Sequence, residues 1–175
     1  MANFTTTGSD TFPAGHPVKQ SFQGEESRSG AIVCTSTSYQ DSGLQVSHTT
    51  ALSSTNSYLI FEFYASMMHQ SVASDAFYID TLMRDSSNSS YSGGESITVA
   101  TYPTYAYIAS ADQYYSMFMR NYCGLVTGMG MPATKSTWAA GDTLYFRLFG
   151  KRTSGNVYFV HNASVYNLTV TEVAR

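Results

Sequence analysis

Four histidines, twelve acids and two cysteines are the side chains of this 175-residue chain from which most enzymes would build a site. His16, His48, His69 and His161 show no HxH or HExxH spacing, the arrangement that puts two imidazoles on one metal ion. His69 precedes Asp75 and Asp80, a thin metal signal that leaves all four histidines reading as surface or core residues. Glu62, Asp75, Asp80, Asp85 and Glu95 are candidates for a pair of glycosidic carboxylates, but no spacing pairs any two of them. A serine nucleophile would be announced by GxSxG on a sharp strand-to-helix turn, and no such motif occurs. The run "GLVTGMGMP", 124 to 132, lacks the GK[ST] ending that lets a loop cradle phosphates, so it reads as an inter-strand loop. Met117, Met119, Met129 and Met131 read as core or interface filler. The expectation is a protein that is no enzyme, with no cofactor and no metal.

The aromatics carry more information. There are 14 Tyr and 10 Phe, while only 12% of residues are charged and the net charge is −3. Tyr102, Tyr105, Tyr107, Tyr114, Tyr115 and Phe118 fall in one short span. Tyrosine joins an apolar face to a polar tip, which suits a subunit interface or stacking on a sugar. No basic patch exists to neutralise a phosphate backbone, so nucleic acid is not expected as a partner. No run approaches the ~18 apolar residues of a spanning helix, and the start lacks the basic-then-apolar pattern of an export signal, so no membrane partner is expected either. A surface poor in charge resists association weakly, and an obligate symmetric assembly tolerates that best. Cys34 and Cys123 are too few for a disulfide scaffold and read as unpaired thiols.

The elements that must position these residues are strands. "SYLIFEFYASMM", 57 to 68, alternates Leu59, Phe61 and Phe63 against Ile60, Glu62 and Tyr64, the period of a half-buried strand. "DTLYFRLFGKR" sets Leu144, Phe146 and Leu148 against Tyr145, Arg147 and Phe149. Further short strands are expected in "HPVKQSFQ", "GAIVCTST", "SGLQVSHT", "DAFYIDTLMRD", "SITVATYPTYAYIAS" with Pro103 as a break or edge marker, "QYYSMFMRNYCGLVTGM" over 113 to 129, "VYFVHNAS" and "YNLTVTEVA". The Ser/Asn/Gly cluster at 85 to 96 reads as a loop, and "KRTSGN", 151 to 156, as a hairpin-like connection. In the last strand Leu168 and Val170 share a face with Glu172, which points to an edge position or an intersubunit contact. Evenly spaced short strands without an amphipathic helix predict an all-β fold, an antiparallel β-sandwich of jelly-roll type over 16 to 175. Residues 1 to 15 have no apolar periodicity and read as an extended N-terminal arm. Pro13 and Pro17 favour extended neighbours, Gly15 permits the change of direction, and Phe4 and Phe12 are the candidate anchors.

"SDTFPAGHPVKQ" resembles the "TFPAGH" opening of small structural proteins of tailed phages, especially phages of cyanobacteria and other aquatic bacteria. The resemblance continues in "TSTSYQDSGLQVSHTTALSSTNSYLIFEF", 35 to 63, with its Tyr39-x-Asp41-x-Gly43-Leu44 step, and resumes in 125 to 164 and in "NLTVTEVA". The Tyr- and Met-rich middle, 64 to 123, departs from it. The resemblance implies a virion component on a jelly-roll-like sandwich, often a homotrimer, with no catalytic residues to carry over. From it we expect a homotrimeric capsid decoration or cement protein on the virion surface, folded in the host cytoplasm. Its expected partners are copies of itself and the major capsid protein or another virion protein. Attachment is assigned to Phe4, Phe12, Pro13 and Gly15, and the subunit or ligand interface to the Tyr102–Phe118 cluster. The alternatives are a tail-fibre or tail-tip module that binds a host surface glycan, and a carbohydrate-active enzyme on the same kind of sandwich. A cleft with facing acids favours the enzyme, a tyrosine-lined pocket the glycan binder, and a docked arm with a flat base the decoration protein.

Overall fold

The computed structural model describes residues 13–25, 29–70, 75–87, 89–92, 94–97, 104–108, 113–124, 137–161 and 164–175. Every regular element among them is a strand: β1 (Pro17–Glu25), β2 (Ile32–Cys34), β3 (Gln40–Thr49), β4 (Ser57–Gln70), β5 (Asp75–Arg84), β6 (Glu95–Ser96), β7 (Thr104–Ile108), β8 (Gln113–Cys123), β9 (Thr143–Arg152), β10 (Val157–Val160) and β11 (Tyr166–Ala174). All pairings are antiparallel.

Three pairs of short strands are broken halves of one ribbon. β1 and β2 run in succession along β11 and β10, and β11 and β10 in turn run along one side of β4. β7 and β6 run along one side of β5. Eight ribbons result. Numbered in chain order, they lie 1-8-3-6 in sheet A (β1/β2, β10/β11, β4, β8) and 2-7-4-5 in sheet B (β3, β9, β5, β6/β7). That interleaving is the double Greek key of a jelly roll, and the expected all-β sandwich is the observed fold.

The core lies between the sheets and follows the alternation of the sequence. Leu59, Phe61, Phe63 and Ala65 of β4 face Leu144, Phe146 and Leu148 of β9, all fully or nearly buried. Phe61 stacks on Phe146 with ring centroids 5.7 Å apart, and Phe77 of β5 meets Phe159 of β10 edge-on at 5.0 Å. Gly150 makes the second contact possible. A Cβ there would lie 2.3 Å from the Phe159 ring and 2.8 Å from that of Phe77. Met117, Met119 and the buried cysteines Cys34 and Cys123, which form no disulfide, complete this core.

Two expectations are corrected. The connection at 151–156 is no hairpin, because β9 belongs to sheet B and β10 to sheet A. A 2-7-4-5 against 1-8-3-6 order requires the seventh and eighth ribbons to lie in opposite sheets. Glu172 does not sit on an edge either. β11 runs between β1 and β4, and Glu172 points inward with no exposed surface.

The corner at Pro13–His16 is tied to the body. Gly15 takes φ +81°, a left-handed conformation that glycine adopts without a Cβ clash. Its N–H donates to the Ala174 carbonyl at 2.8 Å, and the Ala174 N–H donates to His16 at 2.9 Å. The β1–β11 ladder thus extends through the corner.

Candidate interaction surface

The outer face of sheet A is built by the residues that alternate with the core. Register places Gln20, Thr171, Ile60 and Tyr122 in one row across the four ribbons, and Phe22, Thr169, Glu62 and Arg120 in the next. Gly24, Asn167, Tyr64 and Phe118 form a third. The even residues of β8, from Tyr114 to Tyr122, line its last ribbon. This face holds the most exposed aromatics described: Phe22 is 64% exposed, Phe118 60% and Tyr114 55%. Its charges neutralise each other. Arg120 donates to the Glu62 carboxylate from Nε at 2.7 Å and from a terminal nitrogen at 2.5 Å, and its guanidinium lies 5.6 Å from the Phe118 ring centre. The hydrogen bond to Glu62 drives the Arg120 pKa further up. At one end of the face Tyr114 meets His161 edge-on at 5.2 Å, and Tyr158 meets the same ring at 5.4 Å.

The predicted Tyr102–Phe118 cluster is divided by the fold. Tyr114, Tyr115 and Phe118 lie on β8 in sheet A, whereas Tyr105 and Tyr107 lie on β7 in sheet B. The fifth and sixth ribbons of this topology belong to opposite sheets, so neighbours in the sequence part here. Tyr102 lies outside the described residues, as do the side chains of Tyr105, Tyr107 and Tyr115. Phe4 and Phe12 lie outside them too, while Pro13 and Gly15 are exposed at the corner. Phe22 was not singled out from the sequence. Its signal is a phenylalanine in phase with Gln20 in a strand that carries Lys19, Gln20, Ser21, Gln23 and Glu25.

Sheet B is covered differently. The Ser-rich segment after β5 folds back over its outer face. Tyr91 stacks on Tyr39 with centroids 4.5 Å apart and meets Phe149 edge-on at 5.4 Å. Its hydroxyl donates to Asp80 at 2.8 Å, and Ser96 donates to the other oxygen of that carboxylate at 2.6 Å. Burial, with the Asp80 carboxylate next to it, pushes the Tyr91 pKa well above the usual phenol range. Arg147 grips Asp41 with two nitrogens, at 2.7 and 2.5 Å, and also donates to the Ser87 carbonyl at 3.2 Å. The ammonium of Lys151 lies over the other tyrosines, 4.8 Å from the Tyr39 ring centre and 5.2 Å from that of Tyr78. These rings stack on one another and on a cation of the same chain, so the cluster works as a clasp for its own segment.

The third polar assembly is buried between the sheets. Glu172 accepts from the amides of Ala51 at 2.6 Å and Leu52 at 2.7 Å, and from the Ser57 hydroxyl at 3.0 Å. His48 Nε2 lies 3.3 Å from the same carboxylate, and its Nδ1 lies 3.0 Å from Ser21 Oγ. Both contacts are satisfied by an imidazole that carries its proton on Nε2. The order Ser21–His48–Glu172 matches the wiring of a nucleophilic triad. His48, however, is completely buried behind the serine, where it cannot reach a leaving group. The arrangement staples β1, β3, β11 and the 50–57 segment together.

A cleft of about 360 Å³ is lined by Asp85, Thr137, Asp142, Thr143, Leu144 and Tyr145. The Asp142 carboxylate accepts from the Ala139 amide at 2.8 Å and caps the turn there. Among the described residues no three His, Cys, Asp or Glu side chains are grouped to hold a metal ion.

No family model matches the chain, and no curated protein does. Among solved structures, the alginate lyase from Alteromonas sp. 272 aligns over 75% of this chain and 79% of its own, at 9% identity and a TM-score of 0.26. The structure of the infectious bursal disease virus Gx strain aligns over 99% of this chain and 44% of its own, at 7% identity and a TM-score of 0.32. The polysaccharide lyase family 18 enzyme aly-SJ02 aligns over 75% and 79%, at 8% identity and a TM-score of 0.24. Similarity this low assigns no function.

Proposed function

We propose that the protein is a structural component of a phage virion, a homotrimer that decorates or cements the capsid surface. The observation that carries this reading is the outer face of sheet A. It is broad, it neutralises its own charge, and it presents Phe22, Phe118 and Tyr114 more than half exposed. Exposed aromatic surface of this extent marks a contact to be covered. The resemblance of 9–20 and 35–63 to small phage structural proteins supplies the setting. A jelly roll by itself hosts many functions, so the reading rests on the face and the resemblance together. The decisive measurement is an image reconstruction of the intact particle with this protein located in it. The expected result is threefold density of this size on the capsid exterior. Density confined to the tail would replace decoration with the fibre reading, and absence from the particle would end the virion reading.

A further inference from the structure

The exposed aromatics of sheet A are not in the middle of its face but at opposite margins. Phe22 is on β1, the first ribbon, and Phe118 and Tyr114 are on β8, the last. Three strand spacings, about 14 Å, separate them. Between them, on β11 and β4, the rows hold Asn167, Thr169 and Thr171 with the partly exposed Ile60, Glu62 and Tyr64, and Glu62 pairs with Arg120 of the last ribbon. One chain cannot bring its own two margins together, but two copies can.

We infer that a second copy of this chain covers the face, with the Phe22 margin of one copy seated against the Phe118 and Tyr114 margin of the next. The inference rests on the reading of a self-assembling structural protein and names the surface that does the assembling. Two properties favour a second copy over an unrelated partner. The first is charge: Glu62 and Arg120 make the face self-complementary, so a copy of it meets no like-charge repulsion. The second is area. Four ribbons ~4.8 Å apart and strands of roughly ten residues give a face of about 600 Å² per copy, or about 1,200 Å² for the pair. That reaches the lower bound for a stable, specific contact. Because both copies use the same face, margin meets opposite margin twice about a two-fold axis, so the pair leaves neither aromatic patch exposed and any contact that builds a trimer lies on another surface.

The test uses the full chain and two variants, Phe22→Ser and Phe118→Ser, with light scattering as the readout. Both side chains are solvent-exposed in the monomer, so circular dichroism of each variant should match the parent. The parent should be a multimer of the 19.1 kDa chain. Each variant alone should associate about ten- to a hundredfold more weakly. An equimolar mixture of the two should associate more tightly than either variant alone, because the intact Phe22 of one variant meets the intact Phe118 of the other at one of the two symmetric contacts. Variants that assemble like the parent would overturn the surface, and variants that dissociate without rescue in the mixture would overturn the pairing. A monomeric parent would overturn the self-contact altogether. Particle imaging decides the virion reading independently of all three results.

Discussion

Glu172 follows Leu168 and Val170 on the inward face of β11, a position where an ionised carboxylate would ordinarily cost several kcal/mol. Burial pushes its pKa up, but the opposing hydrogen bonds from His48, Ala51, Leu52 and Ser57 outweigh that and hold it below its ordinary value of 4.5. A carboxyl whose folded pKa is depressed stabilises the fold above the unfolded value, and that contribution is lost as pH falls through the folded pKa. Urea unfolding at a series of pH values should therefore show stability dropping as the pH falls below about 4.5. In Glu172→Gln an amide nitrogen replaces one acceptor and faces an N–H it cannot bond. The variant should lose about 1–3 kcal/mol at neutral pH, and its acid slope should flatten. An unchanged slope would place the titrating group elsewhere.

At the scale of elements, the segment that follows β5 behaves as a fastened flap. Its composition, Ser, Asn and Gly, predicts a loop with little order of its own. Tyr91 supplies the order through one stack, one edge contact and one hydrogen bond. Phe149 shows the consequence. Its alternation places it on the outer face of sheet B, yet it is only 1% exposed. Tyr91→Ala removes the clasp and uncovers Phe149. Aromatic pairs contribute about 0.5–1.5 kcal/mol each beyond their buried area, so losing the two should cost about 1–3 kcal/mol. Amide exchange should accelerate in the outward rows of β5 and β9, while β4 and β11 keep their protection. Uniform acceleration across both sheets would show that the flap is part of the global folding unit.

At the scale of the molecule, the body begins at the corner that Gly15 ties to Ala174. Removal of residues 2–12 leaves that tie intact, so the melting temperature should stay nearly unchanged. If the arm attaches the protein through Phe4 and Phe12, as we propose, the truncated protein should be lost from particles. Each anchor is worth about 1.5–3 kcal/mol of burial, or ten- to a hundredfold in affinity. Full occupancy by the truncated protein would assign attachment to the jelly roll itself. Early melting would return the arm to the core.

What the sequence determined alone is the strand content and the two faces of each long strand. Alternation is a local property, set by successive side chains pointing to opposite sides of a pleat. Thus Leu59, Phe61 and Phe63, like Leu144, Phe146 and Leu148, were legible as core without any knowledge of their partners. Tertiary structure decided which sheet each strand joins, because pairing is a long-range property that no local pattern records. That choice parted Tyr105 and Tyr107 from Tyr114 and Phe118, and sent β10 across from β9. It also turned Glu172 from an apparent misfit into the centre of a polar staple. The amides of Ala51 and Leu52 and the ring of His48, which satisfy its charge, arrive more than a hundred residues away in the chain. Phe22 was missed for the same reason. Whether a phenylalanine in a polar strand is covered or exposed depends on the layer above it, and above this face the fold places none of its described elements.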